Sequence, residues 1–141
     1  MVHAADVARL ADEVRASGTP VEVKTLDQIV SDLPSKDQIR RVLLKIDVDG
    51  PECDVIEGAA RILSDYDCVV ILECVLHDRV KARFTDIVFT MREHGYEVSD
   101  ILEAIYRPHD DYLWQVDCLF IRADGPLREH RRFEGAEAEQ A

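Results

Sequence analysis

Two apolar runs, RVLLKIDVD over residues 41–49 and DCVVILECV over residues 67–75, constrain the fold more than any other feature. Each is nearly continuous in Val, Leu and Ile, the pattern of a strand covered on both faces. Between them Asp49 and Gly50 make a turn, and Pro51 stands at a first helical position, where its missing N–H costs nothing. Val55, Ile56, Ala59, Ile62 and Leu63 then recur at helical spacing, so the order is strand, helix, strand. A crossover of about four turns joins parallel strands in the right-handed sense. It predicts an α/β sheet with helices on both faces and a central strand over 41–48.

The flanks extend this unit. Val7, Leu10, Ala11 and Val14 predict a helix over 4–16, closed by Gly18 and Pro20. An extended piece over 21–25 leads to a short helix carrying Leu26, Ile29, Val30 and Leu33, stopped by Pro34. Downstream, Val80, Phe84, Ile87, Val88 and Met91 mark another amphipathic helix, with Gly95 placed to cap it. Residues 96–99 read as a strand, the chain reverses around Arg107, Pro108, His109 and Asp110, and WQVDCLFIRA supplies a last strand, antiparallel to the one before it. After Ala123 the sequence thins to Gly, Glu, Ala and Arg. One domain over 1–123 and a disordered tail over 124–141 are therefore expected.

The composition narrows the partners. Hydrophobic residues at 47% and charged residues at 33% exclude a disordered chain. A formal charge of −12 repels a phosphate backbone, so nucleic acid is not an expected partner. Arg128, His130, Arg131 and Arg132 are interleaved with Glu129 and Glu134 and read as a solvated tail. No apolar run approaches the roughly 18 residues needed to span a bilayer, and the first residues are too acidic for a targeting peptide, so a cytoplasmic protein without membrane contact is expected. Cys53, Cys68, Cys74 and Cys118 show no CxxC spacing, and three lie in apolar runs, as small buried hydrophobes do.

Ligands of open α/β sheets sit at the carboxyl ends of the strands, which directs attention to Asp47, Asp49 and Glu73. Asp47 ends an apolar strand. It reads either as a hydrogen-bond acceptor, metal ligand or general base, or as a carboxylate that caps the following helix. Asp49 and Glu52 lie where a helix dipole favours acids without any function. Glu73 ends the run VVIL; burial would raise its pKa toward acid–base use, whereas pairing with Lys45 across adjacent strands would make it structural. His77 stands close enough in sequence to face the same cleft. These residues are metal-ligand types, but no spacing among them is diagnostic, and no metal is assigned.

The stretch LLKIDVDGPECDVIEGAARIL resembles the signature of FkbM-family methyltransferases, in which Lys, Ile, Asp and Val run into an acidic residue, Gly, a small residue and Glu, followed by a helix with Gly-Ala. VKTLD over 23–27, ILE over 71–73 and the pair Gly95-Tyr96 agree, so the resemblance covers about residues 21–121. Asp49 replaces the usual Glu, and Pro51 the usual Ala. The resemblance implies part of a class I methyltransferase (Rossmann-like) sheet, with S-adenosylmethionine as cofactor and methyl transfer to a hydroxyl of a small molecule or sugar. By position it implies Asp47 and Val48 near the methionine end of the cofactor and Glu73 near the acceptor; with the strand-end residues read above, Asp47, Val48 and Asp49 are the expected cofactor contacts and Asp47, Glu73 and His77 the expected catalytic set. The family's earlier half, with its glycine-rich loop, has no counterpart here, since no two of the six glycines form a GxG unit. The chain is thus expected to be the carboxyl-terminal half of the domain and inactive alone. The strand over 42–48 should then leave an open edge for the amino-terminal helix, a second copy or a companion chain. Two other readings stand beside it: a non-catalytic interaction or dimerisation module, and a small α/β protein whose acidic rim binds a metal or cationic partner.

Overall fold

The computed structural model describes residues 18, 21–76 and 83–129. The expected helix over 4–16, His77, and the tail beyond 129 lie outside the described residues. Helix α1 (Leu26–Ser31) is the first helix among the described residues. Its capping box is complete: Thr25 Oγ1 accepts from Gln28 N at 3.2 Å and Gln28 Oε1 accepts from Thr25 N at 2.9 Å. A 3-10 turn (Lys36–Gln38) leads to strand β1 (Arg41–Ile46), which stops two residues short of the expected end and leaves Asp47 and Val48 in the loop.

The single crossover helix expected from Pro51 is instead two, α2 (Glu52–Glu57) and α3 (Ala60–Asp65). The break has a cause outside the segment. Asp27 N donates to Gly58 O at 2.9 Å, and the Asp27 carboxylate accepts from Arg61 N and Ile62 N at 3.0 Å each, capping a helix whose own N-cap, Ala59, has no side chain to do it. Gly58 permits this approach, since a Cβ there would stand 3.3 Å from Thr25 Cβ. The apolar stripe survives the break, with Ile56, Ala59, Ile62 and Leu63 all buried.

Strand β2 (Asp67–Val75) pairs in parallel with β1, so the crossover is as expected. Helix α4 (Phe84–Glu93) buries Ile87 and Met91 and ends at Gly95, whose φ of +81° suits only glycine. Strand β3 (Tyr96–Tyr106) is far longer than the expected 96–99. Its outer residues from Asp100 to Tyr106 are exposed, so ladder bonds to β4 (Leu113–Arg122) hold them rather than burial, and no hydrophobic alternation announces them. The pair is antiparallel, as expected. A helical turn, α5 (Pro126–Glu129), follows β4, and Arg128 pairs with Glu97 at 3.0 Å.

The sheet runs β1-β2-β4-β3, parallel between the first pair and antiparallel elsewhere. Alternation along β2 sends Cys68, Val70, Leu72 and Cys74 into the core with Val116, Cys118 and Phe120 of β4, against apolar residues of α2, α3 and α4. Tyr96, also buried, donates its hydroxyl to Leu63 O at 3.0 Å. The other β2 residues, among them Val69, Ile71, Glu73 and Val75, are half-buried on the opposite face. All four cysteines are free, and the three in apolar runs are buried.

Candidate functional site

Because β1 and β2 are parallel, their carboxyl ends form one rim. Asp47 is exposed directly beyond β1, followed by Val48, 37% exposed, and by Asp49. Residues two apart in extended chain share a face, and Lys45 Nζ reaches Asp47 Oδ2 at 2.5 Å. That bond raises the Lys45 pKa. The turn then closes through Gly50, whose φ is +106°, with Glu52 Oε1 accepting from Gly50 N at 2.9 Å. Glu52 is only 4% exposed, and its Oε2 is buried without a hydrogen-bond partner.

Glu73 lies near the end of β2 on the face away from the core. Register sets it opposite Asp117 of β4, which in turn stands opposite Glu103 of β3. The anticipated pairing with Lys45 gives way to this arrangement: Lys45 sits opposite Ile71 and bonds Asp47 instead. Burial pushes the Glu73 pKa up, as expected from its sequence context, and Asp47, Asp117 and Asp49 add to the rise while Lys45 opposes it. Like charges directly opposite across strands are destabilising, so the row stores strain.

The sign of that strain is testable. Below the ordinary carboxylate pKa, Glu73 is neutral in folded and unfolded chains alike, and it adds no penalty. As pH rises the unfolded chain ionises first, and stability falls until the raised folded-state pKa is passed. Glu73→Gln is therefore expected to raise the unfolding temperature at pH 7 and to lose that advantage toward pH 4. Thermal melts across that range check it, and a benefit that grew on acidification would contradict the assignment.

Since β4 runs against β2, the β3–β4 hairpin stands on the same rim, with Leu76 N donating to Trp114 O at 2.9 Å. Arg107 is clamped by Asp110 and lies over the Tyr112 ring at 4.7 Å and the Trp114 ring at 5.9 Å. Tyr106 and Tyr112 are 55% and 51% exposed. From the sequence the loop over 107–112 is expected to help shape an acceptor pocket without a motif that fixes its specificity, although the run YRPHDDYLW brackets one Arg with three aromatics.

Asp47, Val48, Asp49 and Glu73 thus share one rim, while His77 falls outside the described residues. Glu52, read from sequence as a helix-dipole acid, is the most buried of the rim acids. Its signal was faint: an acid two residues past the turn glycine, inside an otherwise amphipathic helix. Clefts lined by Lys36, Asp37, Asp65 and Tyr66 lie at the amino ends of the strands, away from this chemistry. No group of three or more His, Cys, Asp or Glu among the described residues is arranged to hold a metal ion, and no described helix is long and apolar enough to cross a membrane.

The chain matches the methyltransferase FkbM domain over residues 3–98. It belongs to that family. Among solved structures it is similar to magnesium protoporphyrin IX methyltransferase from Synechocystis PCC 6803, crystallised with bound SAM, at 15% identity and a TM-score of 0.45, over 84% of this chain and 54% of that one. The chain therefore spans about half the length of that protein. No curated protein matches significantly.

Proposed function

We propose that this chain supplies the carboxyl-rim half of an S-adenosylmethionine-dependent O-methyltransferase site, with a small-molecule or sugar hydroxyl as the acceptor. The observation that carries the reading is the acidic rim itself, formed by Asp47 and Asp49 after β1 and Glu73 on β2, in a chain of the FkbM family. The cofactor suits this rim because its methionine end carries a net positive charge, the sign opposite to that of the carboxylates gathered there. When bound, S-adenosylmethionine supplies an electrophilic methyl group. Asp47, on the solvent side of the rim, accepts a hydrogen bond from the acceptor hydroxyl and takes its proton as the oxygen is methylated. Glu73, with its raised pKa, orients that hydroxyl, and the exposed Tyr112 and Tyr106 offer stacking faces for a ring.

The partner surface belongs to the same reading. Among the described residues β1 pairs only with β2, and Leu43 is 70% exposed on it. A strand from a companion chain or a second copy would cover that edge and bring the groups that wrap the adenosine end. Four free thiols suit a reducing, cytoplasmic setting.

Calorimetric titration of S-adenosylmethionine into the protein in its native assembly tests the reading. Saturable binding that weakens on Asp47→Asn is expected. Absence of any binding heat would leave a non-catalytic interaction module in its place.

A further inference from the structure

The tip of the β3–β4 hairpin holds one guanidinium in a fixed position. Arg107 Nε donates to Asp110 Oδ1 at 3.0 Å and Nη2 donates to Asp110 Oδ2, so the pair is bidentate. The Tyr112 and Trp114 rings flank the same group, and Arg107 N donates to Tyr112 O at 2.9 Å, which closes the loop. A guanidinium carries five N–H groups. Asp110 takes two of them, and among the described residues no acceptor meets the others, on a side chain that is 32% exposed. A free surface arginine loses rotamer entropy when it grips a ligand, and this one has already lost it.

The surroundings direct the site toward a ring. Tyr106 and Tyr112 present exposed flat faces beside the loop. Trp114 O accepts from Leu76 N directly past the end of β2, so the cluster stands at the carboxyl end of that strand, where ligands of open α/β sheets bind. Charge then decides which ring. Asp110 neutralises Arg107, Asp111 adds a negative charge, and Asp47, Asp49 and Glu73 make the rest of the rim anionic in a chain of formal charge −12. An anion gains no net attraction there, whereas an uncharged oxygen meets the remaining N–H groups without that repulsion.

We propose that Arg107 is a specificity-determining residue for the acceptor: its unbonded N–H groups donate to an uncharged hydroxyl or carbonyl oxygen of a ring lying on the exposed tyrosines, and ring ligands that carry a carboxylate are rejected. This rests on the acceptor rim assigned above, although binding itself needs no methyl donor.

Trp114, the single tryptophan of the chain, has its ring 5.9 Å from the Arg107 guanidinium and reports binding by its fluorescence. The full chain is titrated without methyl donor against two pairs of probes matched except in charge: methyl glucoside and methyl glucuronide, 4-hydroxybenzamide and 4-hydroxybenzoate. A saturable change with the uncharged member of one pair is expected, its anionic partner binding at least about tenfold more weakly. Which pair responds separates a saccharide from a phenolic ring. Arg107→Lys keeps the charge but loses the planar fork, and should weaken the responding probe about tenfold at an unchanged unfolding temperature. A clamp that only closes the hairpin would give the reverse, a lower unfolding temperature at unaltered affinity, and would overturn the proposal. Equal or tighter binding of the anions would overturn it, as would silence of all four probes. Tyr106→Ser, which leaves the Asp110 clamp in place, should weaken the same probe if Arg107→Lys folds poorly. Saturable probe binding by a protein that takes up no S-adenosylmethionine would remove the methyltransferase reading and leave this site standing.

Discussion

Asp47→Asn is expected to lower methyl transfer by about 100-fold, or about 2.7 kcal/mol of transition-state stabilisation, while the protein keeps its fold. The amide is isosteric and still accepts a hydrogen bond, but it cannot take the proton that the acceptor hydroxyl must lose. The fold should tolerate the change because Asp47 is exposed beyond the end of β1, and its contact with Lys45 is a surface ion pair of the kind that contributes little. Single-turnover rates with saturating acceptor and donor, beside a thermal melt, separate the two effects. Full activity in the variant would leave Asp47 with only its ion pair to Lys45. A loss confined to acceptor affinity would make it an orienting group rather than the base.

The second large effect lies at the opposite end of the sheet. Asp27→Ala is expected to destabilise the protein by about 3 kcal/mol, from two charge-assisted hydrogen bonds to backbone N–H groups of α3. No side chain of the helix's own N-cap replaces Asp27, because Ala59 cannot cap, and the Asp27 side chain is only 13% exposed. Urea unfolding measures it. Asp27→Asn, which keeps an acceptor oxygen, should recover about half of the loss. If the alanine variant unfolds like the native chain, the two-helix crossover does not depend on α1. Ligand binding at the far rim should be little changed in either variant, which separates this role from a catalytic one.

These two residues mark how far the sequence could be read. The strand, helix, strand unit was legible because β1 and β2 are runs of Val, Leu and Ile bounded by Gly50 and Asp65, and local pattern decides such elements. The rim position of Asp47 followed from the same pattern. Asp27 stood within the recognised stretch VKTLD, yet its purpose depends on Arg61 and Ile62, more than thirty residues away, and no local pattern carries that information. The division of the crossover helix was hidden for the same reason. The outer half of β3 escaped because SDILEAIY gains its strand form from β4 and not from a buried face. The burial of Glu52 was not legible, since an exposed helix-dipole acid and a buried one have the same spelling; only the fold tells them apart.

The outer half of β3 has one more consequence. Ile101, Leu102, Ile105 and Tyr106 are exposed on a strand that, among the described residues, pairs on one side only, an arrangement that invites neighbouring molecules to add on as further strands. Asp100 and Glu103 are spaced among them, so two such strands brought together would set acid against acid. Negative charge placed this way acts as a gatekeeper against strand addition along that border.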